Sequence, residues 1–164
     1  MPVLFCLFFV LGRPMLVTYP NPASMQAQSA TSADWETVAA VVRELDAAWN
    51  ARDAARFSAV FAQEGSFEFP VEGIRLRGRD EIRRHYAEKF PTFTPELRHV
   101  TTTRALDVIL PGLLAVDFEV DILGPDPKSG KTQTSLVHYA GVGLGVRTDL
   151  QWHIRLARVY RVTK

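Results

Sequence analysis

The sequence predicts one α+β domain, in which three N-terminal helices pack against a cone-shaped, curved antiparallel sheet. Apolar residues recur at helical spacing in the first half of the folded region and alternate with a period of two in the second half. Turn residues divide the second half into four long runs, as in a meander. The 164 residues, 47% of them apolar, suffice for one core. Helices followed by strands are typical of the α+β class.

Residues 1–32 are predicted to lie outside the domain, which occupies residues 33–164. Residues 2–11 form an apolar run that is too short to span a bilayer but has the size of a signal-peptide core. No basic residue precedes this run, and Met25 is an alternative start that leads directly into a helix. The sequence therefore favours a cytoplasmic location, with export through a signal peptide as the alternative, and it predicts no membrane span.

Three helical stretches precede the sheet. The first begins at Ser32 or Asp34, either of which can cap it, and it presents Val38 and Trp49 on its apolar side. Residues 50–53 break this helix. The sequence thus predicts a long amphipathic helix followed by a tight corner.

The second helix is predicted to begin at a cap formed by Asp53 and to end near Gly65. Residues 66–69 and 74–76 are short alternating runs on either side of a turn, which predicts two small strands. The third helix follows them and is stopped by Pro91, because proline cannot continue a helix.

Four long strands make up the rest of the domain, at residues 97–109, 113–123, 132–146 and 151–162. Turn-like breaks separate them, at residues 111–112, 124–130 and 147–149. Such strands, curved around the helices, would enclose a cavity. Glycines at positions 141, 143 and 145 would permit the bend.

The composition excludes several classes of function. Lysine and arginine number 19 against 18 acidic residues, so no net positive field draws the protein onto nucleic acid. Cys6 is the one cysteine of the sequence, so the domain has neither a disulfide framework nor a thiolate metal site. No grouping of His, Asp and Glu has a recognisable metal spacing. We expect no metal, no cofactor and no nucleic-acid partner.

Short motifs throughout the domain resemble SnoaL-like proteins of the nuclear transport factor 2-like superfamily. They are AAWNARD at residues 47–53, FAQEG at residues 61–65, GRDEI at residues 78–82 and WHIR at residues 152–155. The resemblance covers residues 34–162 and is nearest to the SgcJ/EcaC group. It implies a pocket inside the cone and a homodimer formed through the sheet face. The same fold hosts isomerases, polyketide cyclases, dehydratases, epoxide hydrolases and non-catalytic association domains, so the fold does not select the function.

The best-known catalytic residues of that superfamily are mostly replaced in this sequence. Ketosteroid isomerases carry a general-base aspartate where this sequence has Phe69, and a tyrosine where it has Leu45. SnoaL-type cyclases carry an aspartate in the stretch that corresponds to residues 158–160. Scytalone dehydratase uses two strand histidines, and His99 and His138 lie on predicted strands here. Only this last resemblance offers titratable groups.

His138 and Arg158 are the candidate catalytic residues. Arg158 shares an alternating strand face with Trp152, which is expected to point inward, so its guanidinium requires either an acidic partner such as Glu68 or an anionic ligand. His138 alternates with Leu136 and can relay a proton near neutral pH. A structural ion pair for Arg158 and a hydroxyl partner for His138 are the alternatives.

A further set of mostly aromatic residues is expected to line the pocket and bind a ligand. Simple core packing is the alternative for each of them. The set comprises Trp49, Phe67, Phe69, Tyr86, His99, Trp152 and Tyr160.

The orientation of the second long strand decides whether the pocket contains a carboxylate. Asp117, Glu119 and Asp121 alternate with apolar residues, so they face outward if the apolar set faces in. A one-residue bulge would reverse this arrangement and place Asp117 or Glu119 inside as a general base.

The leading hypothesis is an isomerase, cyclase or dehydratase that acts without a cofactor on a small apolar or cyclic compound. Whether the protein is an enzyme at all stays open. The first alternative is a non-catalytic protein that binds a small molecule. The second is a dimeric association module, whose contact face carries Val137 and Tyr139 on the outside of the sheet.

Overall fold

The computed structural model describes residues 28–126, 128 and 133–163. These residues form a mixed α+β fold with helices towards the N-terminus, so the predicted class is confirmed. In chain order the elements are β1 (Gln28–Ser29), α1 (Ser32–Asn50), α2 (Ala54–Ala59), β2 (Phe61–Phe69), β3 (Ile74–Arg77), α3 (Gly78–Lys89), a 3-10 turn (Phe90–Thr92), β4 (Arg98–Leu110), β5 (Leu113–Gly124), β6 (Thr134–Thr148) and β7 (Gln151–Arg161).

The strands of the described residues form one sheet in the order β1-β4-β5-β6-β7-β2-β3. The four long strands form the predicted antiparallel meander. β2 adds to the far side of β7 in parallel, and β3 pairs with β2 in antiparallel orientation. The parallel pairing of β2 with β7 therefore joins a strand from the first half of the domain to its last strand.

The main core lies between the helices and the inner face of the sheet. It joins Trp49 of α1, Phe57 of α2 and Ile82 of α3 to Phe61 of β2 and Ala157 of β7. Phe61 and Ile82 have no exposed surface. Burying a side chain of this size contributes roughly 1.5 to 3 kcal/mol, so these contacts hold the three helices onto the sheet.

The N-terminal boundary of the fold lies before the position predicted from the sequence. Gln28–Ser29 pair with β4, so the fold begins by residue 28 and not after residue 32. The cap of α1 is Thr31, whose hydroxyl accepts a hydrogen bond from the backbone of Asp34, while the Asp34 carboxylate accepts one from the backbone N–H of Thr31 at 2.9 Å. The Thr31 hydroxyl also donates to the Asp34 carboxylate at 2.7 Å, and this bond together with the one from the Thr31 backbone lowers the pKa of Asp34.

The apolar run of residues 2–11 and the alternative start at Met25 lie outside the described residues. Part of the predicted turn at residues 124–130 lies outside them as well. None of the helices in the described part of the chain is long and apolar enough to cross a membrane.

The second helix is shorter than the sequence pattern predicts. It ends at Ala59 and not near Gly65, and β2 begins at Phe61. The backbone carbonyl of Val60 already accepts a hydrogen bond from the N–H of Ile154 on β7, at 3.0 Å. Buried residues at this junction recur at helical spacing although the chain has turned into a strand, so periodicity alone placed the boundary too late.

A β-bulge at Arg155 reverses the orientation of the second half of β7. On β6, Leu144 pairs with Leu156 and Gly145 pairs with Ile154, so Arg155 has no partner there. Because side chains alternate along a strand, the extra residue exchanges the two faces beyond it. After the bulge, Ala157 and Val159 point inward. Arg158 and Tyr160 point outward. The inward orientation expected for Arg158 and Tyr160 is thereby corrected.

The inner face of β6 carries Val137 and Tyr139, so His138 lies on the outer face. Both faces of this strand are largely apolar in sequence, and alternation could not choose between them. Packing determines which face of β6 points inward, because the Phe118 ring lies against the backbone of Gly141. A Cβ atom at Gly141 would lie 2.5 Å from Cζ of Phe118, so this contact requires glycine. The expected inward His138, and the expected outward Val137 and Tyr139, are corrected.

The predicted alternation of β5 holds, with the apolar residues directed inward and the acids outward. Val120 is buried, and Phe118 and Ile122 lie on the same inner wall. Glu119, on the outer face, pairs with Arg104 of β4, which lowers the pKa of Glu119. The acids of this strand therefore contribute no carboxylate to the interior.

Candidate functional site

A cavity of about 340 Å³ lies between α1 and the inner face of the sheet. This volume falls within the range of about 300 to 1,000 Å³ that is common for small-molecule pockets. None of the described residues that line it is Lys, Arg, Asp or Glu. The wall includes Thr37, Val38, Val41, Val42, Leu45 and Trp49 of α1 and Leu114, Val116, Phe118, Val120 and Ile122 of β5.

The structure places most of the sequence-predicted ligand-binding residues on the cavity wall. These are Trp49, Phe67, Phe69, Tyr86, His99 and Trp152. The remaining one, Tyr160, lies outside the cavity and is 40% exposed. Both candidate catalytic residues, His138 and Arg158, also lie outside it.

Arg158 belongs to an ion cluster on the outer face of the sheet. Its Nε donates to Oε2 of Glu68 at 2.9 Å, and Arg75 lies 3.1 Å from the other carboxylate oxygen. Glu68 is buried, so the two guanidinium groups neutralise a carboxylate that solvent scarcely reaches. The hydrogen bond with Glu68 raises the pKa of Arg158. The structural ion pair named as the alternative for Arg158 is the arrangement observed.

His138 lies in a second charged cluster on the outer face. Its Nδ1 is 3.0 Å from Oδ1 of Asp121, and its Nε2 is 3.9 Å from Oε2 of Glu119. Ser135 donates to the same oxygen of Asp121. This imidazole is therefore held by acids across the sheet surface and does not face the cavity.

His99 is the histidine that combines a position on the cavity wall with an acidic partner. Its Nδ1 lies 2.7 Å from Oδ1 of Asp46, and the two side chains are 11% and 19% exposed. A carboxylate only accepts hydrogen bonds, so the Nδ1–H of His99 donates to it, and in the neutral imidazole this arrangement puts the lone pair on Nε2. Nε2 has no hydrogen-bond partner among the described residues. The arrangement can accept a proton at Nε2.

Asp46 is held rigidly behind His99. Its Oδ2 accepts from the backbone N–H of Thr101 at 2.9 Å, and its Oδ1 accepts from the Thr101 hydroxyl at 2.7 Å. With the imidazole, these donors give the carboxylate three partners. A carboxylate held in this way fixes both the tautomer and the orientation of the imidazole.

One face of α1 positions the His99 backbone and ring. Asn50 donates to the backbone carbonyl of His99 at 3.0 Å and accepts from its N–H at 2.8 Å. The Trp49 ring lies 5.1 Å from the imidazole, centroid to centroid. Asp46, Trp49 and Asn50 are spaced i, i+3 and i+4, so they lie together on the helix surface.

Asp46 was missed in the sequence, although a signal for it exists. It lies four residues after Val42 and three before Trp49, so it interrupts the apolar side of a helix. An acid in that position needs a partner inside the fold, because an unpaired buried charge is costly. The partner comes from a strand 53 residues away, which the sequence pattern does not reveal.

Arg52 holds the segment of residues 90–97 in place at the part of the cavity next to His99. Its guanidinium donates to the backbone carbonyls of Trp49, Thr94 and Leu97 at 2.9 to 3.0 Å. It also lies over the Trp49 ring, 4.2 Å from the centroid. Burial lowers the pKa of Arg52. The segment carries Phe93 and Leu97 onto the cavity wall, so Arg52 fixes the wall next to His99.

Two tyrosines add neutral hydroxyl groups to the wall. Tyr86 is buried, and its hydroxyl makes no hydrogen bond to any described residue. Burial raises the pKa of Tyr86 far above its ordinary value, and it also raises the pKa of Tyr139. Both phenols are therefore protonated at neutral pH and can donate to an oxygen atom of a ligand.

His153 is held in the opposite tautomer to His99. Its Nδ1 lies 3.3 Å from a guanidinium nitrogen of Arg79. A guanidinium only donates, so Nδ1 of His153 accepts and its ring proton is on Nε2. His153 thus offers a donor where His99 offers an acceptor.

Within the described part of the chain, no group of three or more His, Cys, Asp or Glu side chains could hold a metal ion.

Solved structures with low sequence identity share this fold. A Mycobacterium tuberculosis protein of unknown function is 18% identical, with a TM-score of 0.70 over 80% of this chain and 73% of that chain. A ketosteroid isomerase-like protein from Erwinia carotovora atroseptica is 14% identical, with a TM-score of 0.63 over 82% of this chain and 100% of that chain. A Catenulispora acidiphila protein in complex with S-DNPA is 16% identical, with a TM-score of 0.65 over 80% and 95% of the two chains.

The comparison with curated proteins finds no match. The family model of the SnoaL-like domain matches residues 42–163, which span all four long strands and most of the helical layer. The structural neighbours support the same superfamily through their fold. The chain therefore belongs to the SnoaL-like family.

Proposed function

We propose that this protein is an acid–base enzyme, an isomerase, cyclase or dehydratase, which acts on a small, uncharged and largely apolar compound. His99 is the general base and Asp46 is its orienting carboxylate. The observation that carries the proposal is the 2.7 Å contact between Asp46 and Nδ1 of His99, which leaves Nε2 without a partner on the wall of an apolar cavity. We also retain the SgcJ/EcaC group as the expected subgroup.

The proposed reaction begins with a proton transfer from carbon. Nε2 of His99 removes a proton from a carbon next to a carbonyl group, and the electron pair of the C–H bond moves into the carbonyl to form an enolate. The Asp46 carboxylate stabilises the imidazolium that results. In an isomerisation the proton returns to another carbon of the delocalised enolate. In a cyclisation the enolate carbon forms a bond to a second carbonyl carbon of the same molecule, and the oxygen of that carbonyl takes the proton. In a dehydration the hydroxyl group on the next carbon leaves and takes the proton with it as water. An apolar cavity strengthens each of these electrostatic interactions.

The lining supports an uncharged substrate. Its polar members in the described part of the chain include hydroxyl groups and imidazoles but no Lys, Arg, Asp or Glu side chain; they are Thr37, Tyr86, His99, Thr101, Tyr139 and His153. An ionic substrate would lose its hydration without gaining a counter-ion, which is unfavourable by several kcal/mol. Neutral phenols suit a carbonyl oxygen, because they can donate to it as negative charge develops there.

Exchange of hydrogen for deuterium tests the proton transfer without knowledge of the natural substrate. Apolar cyclic and linear ketones are incubated with the protein in D₂O, and nuclear magnetic resonance measures deuterium at the carbon next to the carbonyl. We expect exchange with the wild type and a loss of about 10²- to 10⁴-fold in His99→Asn, the usual contribution of a general base. His138→Asn is the matched control, because it removes a histidine from the outer face. Equal exchange in the wild type and His99→Asn would refute the proposal.

A non-catalytic binding protein is the second candidate function. It is favoured by the absence of any carboxylate from the described lining, since a ligand-binding cavity needs no acid–base pair. In that case apolar ketones would bind with equal affinity to the wild type and to His99→Asn, and neither protein would exchange deuterium.

A homodimer through the outer sheet face remains a prediction. The residues expected to form its contact, Val137 and Tyr139, line the cavity instead. The outer face offers Val100, Leu136 and Val142, each 40 to 46% exposed. Sedimentation velocity at tens of micromolar would show the dimer, and Val142→Lys would convert it to monomer. A wild type that sediments as a monomer at that concentration would remove the prediction.

A further inference from the structure

One side of the outer sheet face is acidic. Asp117, Glu119 and Asp121 of β5 all lie on this face, because the apolar residues between them face the interior. Glu119 pairs with Arg104, and Asp121 pairs with His138. The Asp117 carboxylate is exposed and makes no hydrogen bond or ion pair with any described residue. Its charge is therefore available to a partner from outside the described chain.

The opposite side of the same face has an excess of positive charge. Arg158 of β7 and Arg75 of β3 share the carboxylate of Glu68 on β2, so this cluster of three groups keeps a surplus of one positive charge. Arg77 lies two residues after Arg75 on the same strand, so it faces the same way, and it is exposed. The Arg158 side chain is 37% exposed, so an acid from another molecule can reach it.

Asp117 and Arg158 lie in one row across the sheet, with an exposed apolar residue between them. Asp117 pairs with Val142 of β6, and Val142 pairs with Arg158. Neighbouring strands are about 4.8 Å apart, so roughly 10 Å separates the backbones of Asp117 and Arg158. Val142 is 46% exposed. The order along the row is therefore acid, apolar residue, base, with its centre on β6.

Such a row is complementary to a second copy of itself. In a homodimer with a two-fold axis, each contact between the two copies occurs twice. An axis that runs along β6 at Val142 places Asp117 of each copy over Arg158 of the other. An axis across the strands would place like charges over each other, which is unfavourable. Packed sheets lie about 10 Å apart, a distance that an arginine and an aspartate side chain together can span.

We propose that two copies of the chain pack through their outer sheet faces about an axis along β6 at Val142, and that Asp117 of each copy forms an ion pair with Arg158 of the other. Each pair extends the cluster of Arg158, Glu68 and Arg75, so that two guanidinium groups meet two carboxylates. A balanced cluster is less costly to remove from solvent than one with a surplus charge. This inference rests on the homodimer predicted above and is independent of the proposed reaction.

Reversal of the two charges tests the pairing. Asp117→Lys places a cation opposite Arg158, and Arg158→Glu places an anion opposite Asp117, so each homodimer then has two repulsive contacts. We expect the dimer Kd of each variant, measured by sedimentation velocity, to rise by about tenfold or more. An equimolar mixture of the two variants should recover a Kd close to that of the wild type, because both contacts of the mixed dimer again join opposite charges. Asp80→Lys is the matched control, because its side chain is 71% exposed on α3, on the helical side of the sheet.

Four results would overturn the proposal. Single variants that dimerise as tightly as the wild type would show that the two charges do not meet, and so would a mixture that associates as weakly as its components. Association of Asp117→Lys with the wild type that is stronger than wild-type dimerisation would indicate an axis across the strands. A monomeric wild type would remove the proposal together with the predicted dimer. Loss of deuterium exchange in His99→Asn depends on none of these results, so the two proposals fail separately.

A second variant controls for folding, because Arg158→Glu places an acid beside the buried carboxylate of Glu68. The double change Glu68→Gln and Arg158→Glu removes that repulsion and keeps the reversed charge at position 158. Circular dichroism verifies that each variant is folded before it is sedimented. The double variant should form a mixed dimer with Asp117→Lys, and a folded double variant that does not would contradict the pairing.

Discussion

Asp46 on α1 and His99 on β4 are joined by a hydrogen bond of 2.7 Å, although 53 residues separate them in the sequence. The bond connects the helical layer to the first long strand at a polar part of the cavity wall, where His99 and Thr101 lie side by side. It therefore has both a structural and a chemical consequence, and substitution can separate the two.

Asp46→Asn should reduce deuterium exchange by about 10²-fold or more, because the amide no longer selects the productive imidazole tautomer. The free energy of unfolding should fall by about 1 to 3 kcal/mol, the usual effect of losing hydrogen bonds to a charged group. Denaturant titration and the exchange assay measure the two effects. Thr101→Val is the comparison, since it removes one donor to Asp46 but leaves the Asp46–His99 pair. An Asp46→Asn protein with full exchange activity would contradict the assigned role.

Arg75 and Arg158 should stabilise the fold in a non-additive way. Either guanidinium alone can pair with the buried carboxylate of Glu68, so each single change to Met should lower the melting temperature only slightly. The double change leaves that carboxylate without a cation, so its effect should exceed the sum of the two single effects. Thermal unfolding of all four proteins checks this, and simple additivity would disprove it.

The substitution Tyr86→Phe should reduce the amount by which the free energy of unfolding falls at alkaline pH. The unfolded tyrosine loses its proton near the ordinary pKa of 10.0, whereas burial raises the pKa of the folded residue and keeps it protonated. The unfolded state therefore binds fewer protons above that pH, and the free energy of unfolding falls as the pH rises. Phenylalanine removes this contribution, while Tyr139 still contributes its own. Denaturant titrations from neutral to alkaline pH would contradict the argument if both proteins lost stability equally.

Leu150→Gly should stabilise the protein by about 0.5 to 1 kcal/mol, because it removes a left-handed backbone penalty that glycine's greater flexibility only partly offsets. Asp149 and Leu150 form the two-residue turn between β6 and β7, with φ angles of 50° and 66°. The Leu150 side chain is 84% exposed, so little packing is lost. Chemical denaturation measures the change. A less stable Leu150→Gly protein would show that the turn tolerates leucine without strain.

The helices and the long strands could be predicted from sequence because their signals are local. Asp53 does cap α2, and residues 111–112 do form the turn between β4 and β5, with Gly112 at a φ of 85°. Hydrophobic periodicity also gave the correct inner face of β5, because its acids and apolar residues alternate without interruption.

The orientations of β6 and β7 could not be predicted in the same way. One unpaired residue, Arg155, exchanges the faces of β7, and nothing in the alternation marks it. On β6 the choice of face depends on how the Phe118 ring meets Gly141, which is a contact between strands. The candidate catalytic residues depended on these two orientations. For that reason the candidate catalytic residues are now Asp46 and His99, and not His138 and Arg158 as the sequence predicted.

The parallel pairing of β2 with β7 also bears on how the chain reaches its native state. Glu68 on β2 pairs with Arg158 on β7, 90 residues later, so closing this part of the sheet requires a large loop to form. Pairings of such high sequence separation slow folding. During synthesis β2 cannot pair with β7 until the last strand has emerged. Its hydrogen-bonding edge and Phe67 therefore stay exposed until then. A chaperone that binds apolar extended segments would find its target there.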